Sequence, residues 1–249
     1  GALLNIALIP VLLKLVGPEG FGLLGAFYSM QALLMLFDFV LSAALQRQLA
    51  RNNNSEKSIS VAQQQSELAS YFSTVEITTV GVGAFFFTCF FFGADYLTVN
   101  WFVENKMPLP AVSLSIRWMA AAAAFQFLGN LYNTSMLALR LHSANNLISM
   151  ALWTIRFIVV VIASQLFSTP IIGALAAWAL VNASGAIVVR AIIGSHLPRL
   201  IYADKFRINI LRDAWRFGFQ VATVAGIITA FNQVDKIFAS RALSLSDFG

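Results

Sequence analysis

Long apolar runs separated by short polar stretches dominate the chain, and none has the every-second-residue alternation of a barrel strand. A membrane-crossing helix needs about 20 apolar residues, and the chain repeatedly supplies runs of about that length. Seven spans are predicted, at residues 1–16, 21–45, 67–93, 111–138, 147–167, 171–194 and 217–238. The stretch QRQLARNNNSEKSISVAQQQSE between the second and third spans is too rich in amides, serines and charges to enter lipid. Residues 94–110 are mixed. There Tyr96 and Trp101 suit an interface, and Pro108 and Pro110 fix the start of the next helix. Ser168, Thr169 and Pro170 are expected to form the tightest connection, and 198–216 reads as a basic amphipathic helix lying along the headgroups.

The two ends of the chain share a pattern. At an offset of 227, Asn5 falls on Asn232, Lys14 on Arg241, Phe21 on Phe248 and Gly22 on Gly249. Each stretch is an apolar helix ending in a cation, a short turn and Phe-Gly. They read as one corner of two internal repeats, the second cut short. Six spans separate the copies, so both cross the membrane in the same direction, as in a parallel repeat. The expected fold is therefore all-α and polytopic. Residues 1–197 make a six-helix bundle, 198–216 a cytoplasmic basic linker, and 217–249 the first helix and turn of an incomplete second bundle. The chain begins without Met and inside its first apolar run, so truncation at both ends is expected.

Composition agrees with a bilayer: 59% of the 249 residues are hydrophobic and only 11% charged, against roughly a quarter charged in soluble globules. The formal charge of +5 does not point to nucleic acid, because the cations sit between apolar runs and form no basic patch with interleaved aromatics. Ten Lys or Arg residues follow the second, fourth and sixth spans, against four on the opposite side (Lys14, Lys106, Lys236 and Arg241), which places the N-terminus in the cytoplasm. The single cysteine, Cys89, lies in a phenylalanine run, where packing is the expected role. His142 and His196 lack metal-ligand spacing to other ligating residues. No GxxxxGK[ST] loop occurs, so ATP is not a direct energy source within this chain, and no cofactor is implied.

Charges within spans cost about 2.5–3.5 kcal/mol each on insertion and should face a bundle interior or a wet cavity. Tyr28, Gln31, Asp38 and Ser42 form one narrow stripe on the second span. Asn145, Ser149 and Arg156 share a face of the fifth, and Gln126, Asn130 and Asn133 one side of the fourth. Glu76 lies beside Ser73, Thr79 and Gly83 on the third. Asp38 with Arg156, and Glu76 with Arg117, are possible structural ion pairs. Polar stripes on four helices, together with guanidinium groups that bind phosphate through paired donors, suit an anionic headgroup whose apolar tail stays in lipid.

The opening residues Asn5, Pro10, Leu12, Leu15, Gly17, Glu19, Phe21 and Gly22 resemble the first helix and turn of the Wzx-type polysaccharide flippases. These belong to the superfamily of multidrug, oligosaccharidyl-lipid and polysaccharide exporters. The closing VDKIFASRALSLSDFG resembles the seventh helix of that family. The resemblance implies a non-enzymatic two-bundle transporter of the bacterial inner membrane. It would move an undecaprenyl-diphosphate-linked sugar to the outer leaflet by alternating access, sometimes coupled to protons or sodium. Carried onto this chain, it makes Arg156 and Lys236 candidates for diphosphate contacts, with Lys14, Arg117 and Arg241 as further ones. Asp38, Glu76 and Asp235 become candidates for ion coupling or gating. Competing readings are a cation-coupled drug exporter of the same superfamily and a membrane-embedded polymerase or glycosyltransferase. The latter should carry a long external loop of clustered catalytic residues, whereas the largest such loop holds only Asp95, Glu104 and Lys106.

Overall fold

The computed structural model describes residues 2–54, 61–101, 107–196 and 206–220, with positions 223, 227, 228 and 231. Its helices are α1 (Ala2–Asn54), α2 (Val61–Asn100), α3 (Leu109–Ala138), α4 (His142–Leu166) and α5 (Pro170–His196). A further helical stretch covers 208–220, straddling the expected boundary between linker and final helix. No strand occurs among the described residues. Among the described residues, five segments are long and apolar enough to cross a membrane: Pro10–Met35, Glu67–Asn100, Leu109–Ala138, His142–Leu166 and Pro170–His196. The protein is a polytopic helical membrane protein.

Helix α1 is two arms joined at Gly17, whose backbone (φ 74°, ψ 174°) lies in a region that a Cβ would obstruct. Pro18 follows, and a proline opens a helix without loss because its missing N–H would have no helical acceptor there. The two arms correspond to the predicted spans 1–16 and 21–45. Composition alone draws a single span, Pro10–Met35, across this break.

Helix α4 starts at His142, five residues before the predicted span. Asn145 and Asn146 do not interrupt it. The Asn145 N–H donates to Leu141 O at 2.9 Å, and its side chain is buried. The link from α3 is Leu139–Leu141, as short as the α4–α5 link at 167–169, so the connection predicted to be the tightest, at Ser168, Thr169 and Pro170, has an equal. The link from α3 closes as a Schellman turn: Leu141 N–H donates to Met136 O at 2.9 Å and Arg140 N–H to Leu137 O at 3.0 Å. Arg140 takes the left-handed position (φ 63°) that usually holds glycine.

Helix α5 is the most buried of the candidate spans and packs chiefly on α3 and α4. Every residue from Ile171 to Ala179 is buried. Without a hydrophobic driving force between helices in lipid, close approach depends on small side chains. Gly173 meets that need: a Cβ there would collide with the Ala163 carbonyl and the Phe167 ring. Helices α2 and α4 instead turn apolar residues outward, including Phe85, Phe92, Leu147, Ile158 and Ile162. Cys89 is also exposed, on the phenylalanine-rich stretch of α2, so the packing role expected for it does not hold within this chain.

Connectivity sorts the two ends of the bundle. One gathers the Gly17 turn, the α2–α3 and α4–α5 links and Ile171, which neighbours Gly20. The other gathers Arg47, Arg140, Arg190 and Arg207 and is the arginine-rich end. A non-glycine residue in left-handed geometry costs about 1–2 kcal/mol. Arg140→Gly is therefore expected to raise the thermal midpoint of the detergent-purified protein, and Arg140→Val to lower it. A lower midpoint for Arg140→Gly would count against this turn geometry.

Candidate functional site

Helix α4 divides its surface between lipid and protein. Ile155, Ile158, Val159 and Ile162 face outward, while Asn145, Arg156, Val160 and Ser164 form the buried stripe. Arg156 is thereby carried into the bundle at 6% exposure. Its Nη2 donates to Asn182 Oδ1 at 2.6 Å, and Asn182 Nδ2 donates onward to Ala122 O at 3.0 Å. One amide thus links α4, α5 and the backbone of α3.

Two indoles flank the guanidinium, Trp153 at 4.4 Å and Trp178 at 5.3 Å from their ring centroids. Trp178 is held in turn by edge-on contacts to Phe27 and Tyr28. Among the described residues no ion pair includes Arg156, and its Nε is buried without a hydrogen-bond partner. A buried charge lacking its counter-ion costs about 3–5 kcal/mol. A desolvated cation–π contact returns about 2 kcal/mol, so two rings and the amide together offset a cost of that size, and the donor left open is the Nε–H.

Arg156 borders a cavity of about 230 Å³ between α1, α3, α4 and α5. Tyr28, Gln31, Gln126 and Asn130 supply its remaining polar wall, with Trp153 and Trp178 beside them. Tyr28 is 48% exposed, so the cavity reaches the surface at α1. A smaller space of about 40 Å³ on the other side of Arg156 touches Gln126, Asn133 and Asn182. Tyr28 and Gln31 of the second predicted span and Gln126, Asn130 and Asn133 of the fourth thus surround Arg156 of the fifth, whereas Asp38, Ser42, Asn145 and Ser149 line neither space.

Asp38 does not pair with Arg156. Ser42 Oγ donates to its Oδ1 at 2.6 Å, and the Asn130 side chain lies within hydrogen-bonding reach. Gln126 Nε2 donates to Asn130 Oδ1 at 3.0 Å. A short chain of amides thus connects the carboxylate to the cavity wall. Glu76 does not pair with Arg117 either. It forms an ion pair with Arg190 Nε and accepts the Tyr132 hydroxyl at 2.7 Å. Arg117 bonds Asp95 at 3.0 Å near the opposite end, 5.3 Å from the Phe91 centroid, and lines neither cavity beside Arg156. Lys14 is exposed on the first arm of α1, three residues before Gly17. Asp235, Lys236 and Arg241 lie outside the described residues.

The residues that sequence reasoning missed are Asn182, Trp153, Trp178 and the pair Arg190–Tyr132. Asn182 had a signal, being the amide in an otherwise Ala-, Gly- and Leu-rich helix. Arg190 reads as a loop cation by charge counting, yet it lies inside α5 and binds Glu76.

No curated protein and no solved structure matches the chain. A family model described as polysaccharide biosynthesis protein matches residues 1–249. With the match spanning its whole length, this multi-pass membrane chain belongs to the polysaccharide biosynthesis protein family.

Proposed function

We propose that the protein is a flippase that moves undecaprenyl-diphosphate-linked oligosaccharide from the cytoplasmic to the outer leaflet of a bacterial inner membrane. The cargo serves O-antigen, capsule or exopolysaccharide assembly, and the protein makes and breaks no covalent bond. The observation that carries this reading is the buried Arg156 guanidinium, which keeps an unpartnered donor beside a cavity lined by amides. A diphosphate supplies both missing elements, negative charge and acceptor oxygens in a geometry that matches the guanidinium fork.

The cavity, at about 230 Å³, is smaller than the roughly 300–1,000 Å³ usual for small-molecule sites. It suits the diphosphate more than the sugars, and alternating access requires that it widen. The excess of Lys and Arg at the arginine-rich end supports a cytoplasmic N-terminus. Asp38, joined to the cavity wall through Asn130 and Gln126, is the group best placed to couple protons or sodium to that change.

In cells that depend on this protein for surface polysaccharide, Arg156→Ala is expected to reduce export at least about tenfold, the loss of about 1.4 kcal/mol or more. Membrane levels should stay near wild type. Arg156→Lys should recover only part of the activity, because an ammonium cannot form the paired contacts. Full export by Arg156→Ala would remove this residue from the site. Asp38→Asn should flatten the dependence of export on external pH, measured as surface polysaccharide per unit of membrane protein. A wild-type pH profile would exclude Asp38 from coupling.

A further inference from the structure

A second cavity, about 550 Å³ and well within the usual range for small-molecule sites, opens at the arginine-rich end between the close of α1, the start of α2 and the helix at 208–220. The last of these is pressed onto α1: a Cβ on Gly218 would collide with the Val40 backbone, and Ala214 is buried. Asp213, Arg216, Phe217 and Gln220 follow helical spacing along one side and line the cavity. Arg47 of α1 and Glu67 with Tyr71 of α2 complete the opposite wall.

The charges in this wall are of both signs. Among the described residues neither ion pair includes Arg47, Arg216, Glu67 or Asp213. Arg47 instead lies 4.3 Å over the Phe217 ring. Arg207 also borders the space, and its backbone N–H donates to Thr74 Oγ1 at 3.2 Å. Three arginines, Arg47, Arg207 and Arg216, and two carboxylates, Glu67 and Asp213, border this one space, and a ligand carrying both signs answers both sets. A purely anionic headgroup would meet the arginines but stand against Glu67 and Asp213.

The surroundings are those of a membrane boundary. Trp215 contacts Phe37 of α1 at 6.4 Å between ring centroids. Ile208, Trp215 and Phe219 are exposed on the same short helix as Arg212 and Arg216. Tryptophan and paired apolar and basic side chains settle at headgroup level.

We propose that this cavity binds the headgroup of a zwitterionic aminophospholipid, with its phosphate against Arg47 and Arg216 and its ammonium against Glu67 and Asp213. Guanidinium groups supply paired donors to phosphate, and the carboxylates accept from the ammonium. Phe217 and Ile210 offer the apolar contact for the glycerol and first methylenes. The lipid would fasten the helix at 208–220 to α1 and α2. This assignment stands independently of what the Arg156 cavity transports.

Native mass spectrometry of the purified chain in detergent tests it, using dioleoyl phosphatidylethanolamine, dioleoyl phosphatidylglycerol and soluble glycerophosphoethanolamine as probes. Wild type is expected to retain the ethanolamine lipid at least about tenfold more than the glycerol lipid. Arg47→Ala with Arg216→Ala should weaken both. Glu67→Gln with Asp213→Asn should reverse the preference toward phosphatidylglycerol, an outcome that misfolding does not produce. Equal or stronger retention of phosphatidylglycerol by wild type would overturn the proposal, as would an unchanged lipid ratio in the Glu67→Gln, Asp213→Asn protein. Displacement of bound lipid by equimolar glycerophosphoethanolamine would assign the cavity to a soluble ligand and refute a membrane lipid.

Discussion

A guanidinium taken out of water, with no carboxylate paired to it among the described residues, sets the terms for the rest of this bundle. Arg156 is too basic to discharge by losing its proton, so its environment must accommodate the charge. Asn182 accepts one of its N–H groups, two indoles present their faces, and a small polar cavity borders what is left. The same amide of Asn182 donates to the α3 backbone, so the group that steadies the cation also pins three helices together. Structure and site share one contact.

The composition of α5 follows from that arrangement. An amide reaching both Arg156 on α4 and Ala122 on α3 requires three helix axes to come close, which the Ala- and Gly-rich sequence of α5 permits. Gly173 against the Ala163 carbonyl and Gly185 against the Leu152 side chain mark the closest points. The bulky residues are displaced to the outward faces of α2 and α4, where lipid accepts them. Ion pairs hold the periphery. Glu76 with Arg190 and Tyr132 ties α2, α3 and α5 toward one end, and Asp95 with Arg117 and Ser113 ties α2 to α3 toward the other. Separating these pairs from the central guanidinium leaves Arg156 available to a ligand.

The helical architecture could be read from the sequence because apolar run length is set by bilayer thickness, a constraint that acts on each segment independently. Polar stripes were legible for a similar reason: helical periodicity places Gln126 and Asn130, or Tyr28 and Gln31, on one face whatever that face meets. Pairing was not legible. Asp38 with Arg156 and Glu76 with Arg117 were reasonable by sign, yet Arg117 lies toward the opposite end of the bundle from Glu76, and the rotation of α5 about its axis delivers Arg190 to Glu76 and Asn182 to Arg156. Such rotations depend on side-chain packing between helices, which periodicity within one helix does not encode. The Arg140 turn was hidden for a local reason, since arginine in place of glycine removes the usual sign of a helix end.

If Arg156 holds its charge in the bundle to receive a lipid-borne diphosphate, as proposed, its unpartnered Nε–H is the atom that reports on it. The direct measurement is the 15N–1H resonance of that Nε in arginine-labelled protein, assigned by comparison with Arg156→Lys, as undecaprenyl diphosphate or undecaprenol is added. A downfield shift of the Arg156 signal is expected with the diphosphate and none with the alcohol. A signal that stays in place at saturating diphosphate, or that moves equally with undecaprenol, would contradict it.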